Sequence, residues 1–271
     1  MKIENLIRPT SVSEAYEKIT TDKHNALIAG GAWLKLSSRT IHEAIDLTAL
    51  TELNGIEESQ NEIKIGSMTP LYEVERSDII NQYYDGILPK AITQIMGVGL
   101  RNLVTIGGNI MSKHGFSDVA TPLLALPCEL DFYNQGRVSF EAFLNQRPMK
   151  KDVLKAVILK KKAGQGYFKK VKKTASDFAI LNLAITKDDQ GYQVAVGSRP
   201  SIATLLPNLK AHLDKIAPNF NDPKALLDIA LNEIKLGSNP RASKDYRIQL
   251  LKTYLIRGLN ALEAQDKEGQ S

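Results

Sequence analysis

Two pairs of adjacent glycines carry the clearest chemical signal in this sequence. Gly30-Gly31 follows the apolar run Ala26-Leu27-Ile28, and Gly107-Gly108 follows Leu103-Val104-Thr105-Ile106. A strand that runs into Gly-Gly exposes consecutive backbone N–H groups without side-chain obstruction. One such turn is common. Two in one chain predict a pair of turns that close on the two phosphates of a dinucleotide from opposite sides. The spacing G-x-G-x-x-G is absent. Its nearest approach, Gly97-Val98-Gly99-Leu100-Arg101-Asn102, has Asn at the third glycine position and follows a predicted helix rather than a strand. No G-x-x-x-x-G-K-S/T loop occurs either. The pattern therefore points to a dinucleotide held by a fold other than the doubly wound one.

Other chemistries find less support. The single cysteine, Cys128, allows no internal disulfide and no cysteine-based metal site. The histidines His24, His42 and His212 show no i,i+4 or other metal-ligand spacing, so no metal site is expected. No Ser/His/Asp or Cys/His nucleophile arrangement is visible, and no catalytic acid or base is assigned. Between Arg147 and Lys173 eleven Lys/Arg stand against one acidic residue, Asp152. Such a run reads as the outward face of solvated strands, as a source of one or two phosphate-facing lysines, or as a nucleic-acid patch. The last is disfavoured, because only Tyr167 and Phe168 interleave it and no nucleic-acid-binding motif surrounds it.

The elements that must position the glycines follow from periodicity. A strand at Lys2-Ile3-Glu4 precedes a helix over Val12–Ile19, with Ser11 and Glu14 as a capping-box pair. Strands at Ala26–Ile28 and Ala44–Leu47 complete a small β-α-β lobe ending near residue 55. Glu62–Gly66 alternates as a strand. Thr69-Pro70 opens a helix with Thr69 as cap, and a further helix precedes Gly97. Thr121–Leu126 reads as a helix opened by Pro122, and Glu129–Tyr133 and Lys155–Lys160 read as strands. After a flexible break at Ala163–Gly166 come three strands, Tyr167–Lys173, Ile180–Thr186 and Tyr192–Gly197. A helix capped by Asp222-Pro223 and a second over about 244–264, with Ser243 as N-cap, complete the chain. Residues 265–271 are polar and expected to fray.

Several segments, in this order, resemble a known family. Ile7–Ser11, Leu27–Gly31, the block Arg101-Asn102 to Asp118, Gly166–Lys169, Ser176–Ala179 and Ala242–Arg247 resemble the FAD-binding (medium) subunit of the molybdenum hydroxylases. That group includes xanthine dehydrogenases and aerobic carbon monoxide dehydrogenases. The block R-N-x-x-T-I-G-G-N is the most specific piece, and the resemblance spans almost the whole chain. It implies an α+β fold. A two-lobed FAD-binding domain of the vanillyl-alcohol-oxidase (PCMH) type is expected over residues 1–162, with lobes of about 1–55 and 56–162. A smaller α+β C-terminal domain, a three-stranded sheet with helices, is expected over 163–271.

The resemblance also implies a non-covalent FAD and a set of residues around it. The first turn carries over as Leu27, Ile28, Ala29, Gly30, Gly31, Ala32, Trp33 and Leu34, wrapping the pyrophosphate. The second carries over as Thr105, Ile106, Gly107, Gly108 and Asn109, with Ser112 a little beyond. Asp118 matches an Asp that holds a hydroxyl of the cofactor's polar chain; read from the residues alone, it is equally an N-cap for the helix near Thr121. Lys169 matches a basic residue close to the flavin ring, where a cation stabilises the reduced, anionic form. Two departures stand out. The family has Thr-Asp where this chain has Ala32-Trp33, and a Ser-Pro-like pair where it has His114-Gly115. Trp33 can pack on the cofactor, face a partner, or belong to the core.

The implied function is electron transfer: electrons arrive from a [2Fe–2S] protein and leave through FAD to NAD+ or another acceptor. Clusters and molybdopterin are expected only in partner subunits, because this chain has too few cysteines for a cluster. A flavin-free scaffold that keeps the fold, or a stand-alone flavin oxidase, remain alternatives. With 43% hydrophobic and 24% charged residues, and no apolar run of membrane-spanning length, the composition is that of a globular protein without a membrane span. The first residues lack a signal-peptide core, so a cytoplasmic location is the default expectation.

Overall fold

The computed structural model describes residues 1–269. They divide into two compact units, one of Met1–Ser77, Gly97–Ser112 and Cys128–Lys160, the other of Asp78–Met96, Lys113–Pro127 and the residues from Lys161 onward.

The first unit holds two sheets. Strand β1 (Lys2–Ile7), helix α1 (Val12–Thr21), strand β2 (Ala26–Ile28) and strand β3 (Thr40–Asp46) form a parallel three-stranded sheet in the order β1-β3-β2. Ala26 pairs with Ala44 and Leu27 with Ile45. α1 packs Val12, Ala15 and Ile19 on this sheet with Ile45, Leu47 and Leu53. Ser11 caps α1 by accepting from the Glu14 N–H. The expected reciprocal bond is not made: the Glu14 carboxylate accepts from the Thr10 N–H and hydroxyl instead.

The second sheet of this unit is antiparallel, with strands Ile56–Glu58, Glu62–Gly66, Leu154–Lys160, Cys128–Phe132 and Gly136–Ser139 in that spatial order. Thr69 does not cap the next helix, Leu71–Arg76. It is fully buried and its hydroxyl donates to the Gly55 carbonyl, which leaves Pro70 at the cap position.

The second unit is built on an antiparallel sheet of Gln165–Val171, Leu181–Asp188, Gly191–Gly197 and the short strand Thr204–Leu205. The last strand adds a fourth to the three read from the sequence. Helices Pro207–Ile216, Pro223–Glu233 and Lys244–Gly269 supply the apolar side chains that cover it, among them Leu209, Leu213, Leu226, Ala230, Leu251, Leu255 and Leu259. Asp222 caps its helix through the Lys224 and Ala225 N–H groups, and Ser243 caps the last through Tyr246. Helix Pro207–Ile216 was not anticipated. The last helix continues through Gly269 instead of fraying at 265; residues 270 and 271 lie outside the described residues.

Arg247, with no exposed surface, anchors the last helix. It donates to the carbonyls of Ile180, Gly237 and Ala242 and to Asn239 Oδ1. A buried guanidinium is tolerated where its donors find such acceptors. Among the described residues no helix is long and apolar enough to cross a membrane.

Candidate functional site

Within the first unit the two glycine pairs come together. Gly30 follows β2 with its Cα pressed on residue 103, so that a Cβ there would overlap the Leu103 carbonyl oxygen. A Cβ on Gly108 would stand 3.7 Å from Ala29 Cβ. The segments that the sequence separates are therefore neighbours, as a shared ligand requires.

Their backbones differ. Gly31 takes φ +65°, the left-handed region that glycine enters at little cost. The chain then turns into the short 3-10 helix Leu34–Leu36, with Lys35 N–H donating to the Gly31 carbonyl at 3.2 Å. The N–H groups of Gly30, Gly31 and Ala32 have no acceptor among the described residues, and all three positions are only half-buried. Three consecutive donors of this kind suit a phosphate group.

The second segment departs from the expected strand and turn. Leu103 ends the helix Val98–Leu103, and Thr105 pairs with Pro70 in an isolated bridge. Thr105 then caps a new short helix, Ile106–Met111. Its first-turn donors are all used inside the protein. Ile106 N–H reaches the Thr69 carbonyl at 3.0 Å, Gly107 N–H the Ser67 carbonyl at 2.8 Å, and Asn109 N–H the Thr105 carbonyl at 3.0 Å. Gly108 N–H donates to Thr105 Oγ1 at 3.1 Å.

The expectation that both glycine pairs present open donors thus holds for the first alone. A Thr one residue before Ile-Gly-Gly supplies a cap hydroxyl, and capping outcompetes the strand reading of so short a run. What the second segment offers is space. A Cβ on Gly107 would come within 2.6 Å of the Ser67 carbonyl oxygen, whereas at Gly108 the nearest atom is the Thr105 hydroxyl at 3.0 Å. Gly107 is demanded by packing; Gly108 leaves a cradle. Ser112 Oγ donates to the Asn109 carbonyl at 2.6 Å. Arg101, of the same motif, is buried and ion-paired with Glu75 at 2.6 Å, so it braces the Val98–Leu103 helix against Leu71–Arg76. Trp33 is 43% exposed, and Leu36, Val98, Leu100 and Leu103 of this unit are exposed as well; the core reading of Trp33 is thereby excluded.

Asp118 and Lys169 belong to the second unit. Asp118 is not a helix cap; Ser117 Oγ accepts from Ala120 N–H at the start of Ala120–Ala125. The Asp118 carboxylate is buried and meets Lys170 Nζ at 2.6 Å and Asn182 Nδ2 at 3.0 Å. Burial pushes its carboxyl above the usual range, and the Lys170 ammonium opposes that shift. Lys169 lies with its ammonium 4.9 Å from the Tyr254 ring centre. His114 stacks on Phe116 at 4.7 Å, and burial lowers its pKa. Gly115 has a local reason to be glycine: a Cβ would stand 3.1 Å from the Ser201 backbone.

Within the basic run, ion pairs join Lys155 with Asp131, Lys160 with Glu129, Lys162 with Asp189 and Lys170 with Asp118. Lys155 and Lys160 fit the solvated-strand reading, whereas Lys170 is buried. Sequence spacing missed one cluster. Asp22, His24 and His42 place their ligand atoms within 4.8 Å of one another, through the register of β2 and β3.

A parallel α/β sheet and an antiparallel sheet, with open glycine N–H groups beside a glycine cradle, define a dinucleotide-binding protein outside the doubly wound class. A family model described as the FAD binding domain in molybdopterin dehydrogenase matches residues 1–160, and the chain belongs to that family. It is similar to a xanthine dehydrogenase FAD-binding subunit of Escherichia coli O157:H7, 25% identical over 267 residues and 91% of each chain. The glyceraldehyde dehydrogenase medium chain of Sulfolobus acidocaldarius is 24% identical over 273 residues, 93% of this chain and 95% of that one. Among solved structures, a carbon monoxide dehydrogenase from Hydrogenophaga pseudoflava superimposes with a TM-score of 0.87, covering 97% of this chain and 98% of its own at 23% identity. The α+β fold expected from the sequence is the fold of that chain. The protein is thus an FAD-binding subunit of the molybdenum hydroxylase family, an oxidoreductase component.

Proposed function

We propose that this chain is the electron-transfer subunit of a molybdenum hydroxylase complex, holding a non-covalent FAD between a [2Fe–2S] subunit and a final acceptor such as NAD+. The observation that carries the reading is the open run of N–H donors at Gly30, Gly31 and Ala32 beside the Gly108 cradle. A pyrophosphate carries negative charge and needs donors that cost no reorganisation; these are fixed by the β2 end and by the φ of Gly31.

The residues proposed to hold the cofactor are Leu27, Ile28, Ala29, Gly30, Gly31, Ala32, Trp33, Leu34, Thr105, Ile106, Gly107, Gly108, Asn109, Ser112, Asp118 and Lys169. Gly30–Ala32 supply backbone donors. Gly108 admits close approach, and the Thr105 hydroxyl, which accepts from Gly108, keeps its own proton to donate. Lys169 supplies positive charge. When bound, FAD provides the step from single-electron to two-electron transfer, and the protein sets its position and potential.

The division into an FAD-binding domain over 1–162 and a C-terminal domain over 163–271 belongs to this proposal, as do a molybdopterin subunit as second partner and a cytoplasmic location. Relatives named as medium chain or FAD subunit support the multi-subunit setting. The test is reconstitution. The purified chain should take up FAD and show flavin absorbance, and it should co-purify from its host with an iron–sulfur chain and a large molybdopterin chain. A chain that takes up no FAD would pass to the scaffold reading. One that oxidises an organic substrate unaided would pass to the stand-alone oxidase reading.

A further inference from the structure

His24 and His42 stand eighteen positions apart in sequence, and parallel strand pairing makes them neighbours. Ala26 pairs with Ala44 across β2 and β3. Carrying that register two residues toward the amino ends sets position 24 beside position 42. The two imidazole rings there have centroids 4.6 Å apart. Asp22, the C-cap of α1, stands against both: Oδ2 is 2.7 Å from His42 Nδ1 and Oδ1 is 3.3 Å from His24 Nδ1. Two ligands each about 2.0–2.1 Å from one tetrahedral ion lie roughly 3.4 Å apart, so the triad needs little adjustment to share one.

The carboxylate is held in place. The His24 N–H donates to Asp22 Oδ1 at 2.9 Å. That bond, with the His42 contact, fixes the orientation of the Asp22 carboxylate. Hydrogen bonds brace the corner behind it. Asn25 is buried; its Nδ2 donates to the Lys18 carbonyl at 2.8 Å and to Glu43 Oε2 at 3.0 Å, and its Oδ1 accepts from the Glu43 N–H at 3.1 Å. Lys151 opposes a cation here, but its ammonium is spent on the carbonyls of Asp22 and Ile19 at 2.6 and 3.0 Å, not on the carboxylate.

We propose that Asp22, His24 and His42 form a three-ligand site for a borderline divalent transition ion of the zinc class, completed by water. Two imidazoles and one carboxylate favour zinc, nickel or copper over magnesium or calcium. The side chains are 38–48% exposed, so the site is open to exchange and its affinity is modest. It lies toward the amino ends of β2 and β3, whereas the Gly30-Gly31 turn follows the carboxyl end of β2. An ion here clamps the end of α1 to the parallel sheet and takes no part in dinucleotide binding.

The test uses the full-length chain, stripped with chelator and titrated with zinc while calorimetric heat and thermal midpoint are recorded. Zinc should bind with one ion per chain and raise the midpoint as ligand linkage requires. His24→Ala and His42→Ala should each weaken binding at least ~10-fold, and His212→Ala should leave it unchanged. Copper substituted for zinc should show an electron paramagnetic resonance spectrum split by two imidazole nitrogens, and by one in either variant. Absence of binding in the parent, or equal affinity in parent and both histidine variants when circular dichroism shows them folded, would overturn the proposal.

Discussion

The two glycine pairs look alike in sequence and behave differently in structure. After β2, Gly30-Gly31 turns the chain away from the parallel sheet and leaves three consecutive N–H groups with no acceptor among the described residues. Gly107-Gly108 begins a capped helix in which every first-turn donor is already bonded. The first pair offers hydrogen bonds and the second offers room. Within each pair the roles divide again. Gly30 and Gly107 are glycines because backbone lies where a Cβ would be, on Leu103 and Ser67. Gly31 is a glycine because its φ is positive, and Gly108 has no comparable demand from the fold. A paired glycine is therefore one packing residue plus one that the ligand can use.

The sharpest way to break this division is to place a methyl at each position. Gly30→Ala should cost most, ~3 kcal/mol of stability, because rigid backbone rather than a flexible side chain must yield. A thermal melt within 2 °C of the parent would show that the two segments are not in tight contact. Gly107→Ala should follow at ~2 kcal/mol against the Ser67 carbonyl, read by urea denaturation. Gly108→Val should reverse the pattern. Its melting behaviour should shift by no more than the loss of a cap, ~1 kcal/mol, while FAD affinity falls by tens of fold, ~2 kcal/mol, in isothermal titration. Full flavin occupancy in that variant would remove the cradle from the account. Ala32→Thr should give the smallest effect. A hydroxyl beside the open donors adds one charge-assisted hydrogen bond, tightening FAD about tenfold; equal affinity would mean that the backbone donors already saturate the phosphate.

The strands were the most legible part of the chain. Glu62–Gly66 alternates and ends in glycine, Ala26–Ile28 is a short apolar run before a glycine pair, and both form strands over those bounds. The family motifs gave the fold class and drew attention to both glycine pairs. What stayed hidden depends on distant partners. Thr105-Ile106 reads as strand until the Thr69 and Ser67 carbonyls are placed to accept from the helix it caps. Asp118 reads as a cap until Lys170 and Asn182, on two adjacent strands, close on its carboxylate. His24 and His42 carry no spacing signal, because the pairing of β2 with β3 alone makes them neighbours.

Amide hydrogen exchange, resolved residue by residue with and without FAD, tests the central claim most directly. The contrast between the glycine pairs predicts that Gly30, Gly31 and Ala32 exchange fast in the flavin-free chain and become protected when FAD is added. Ile106, Gly107, Gly108 and Asn109 should be slow in both states, since their donors are bonded within the protein. Protection gained at Ile106–Asn109 with none at Gly30–Ala32 would contradict the assignment of the phosphate donors to the first glycine pair.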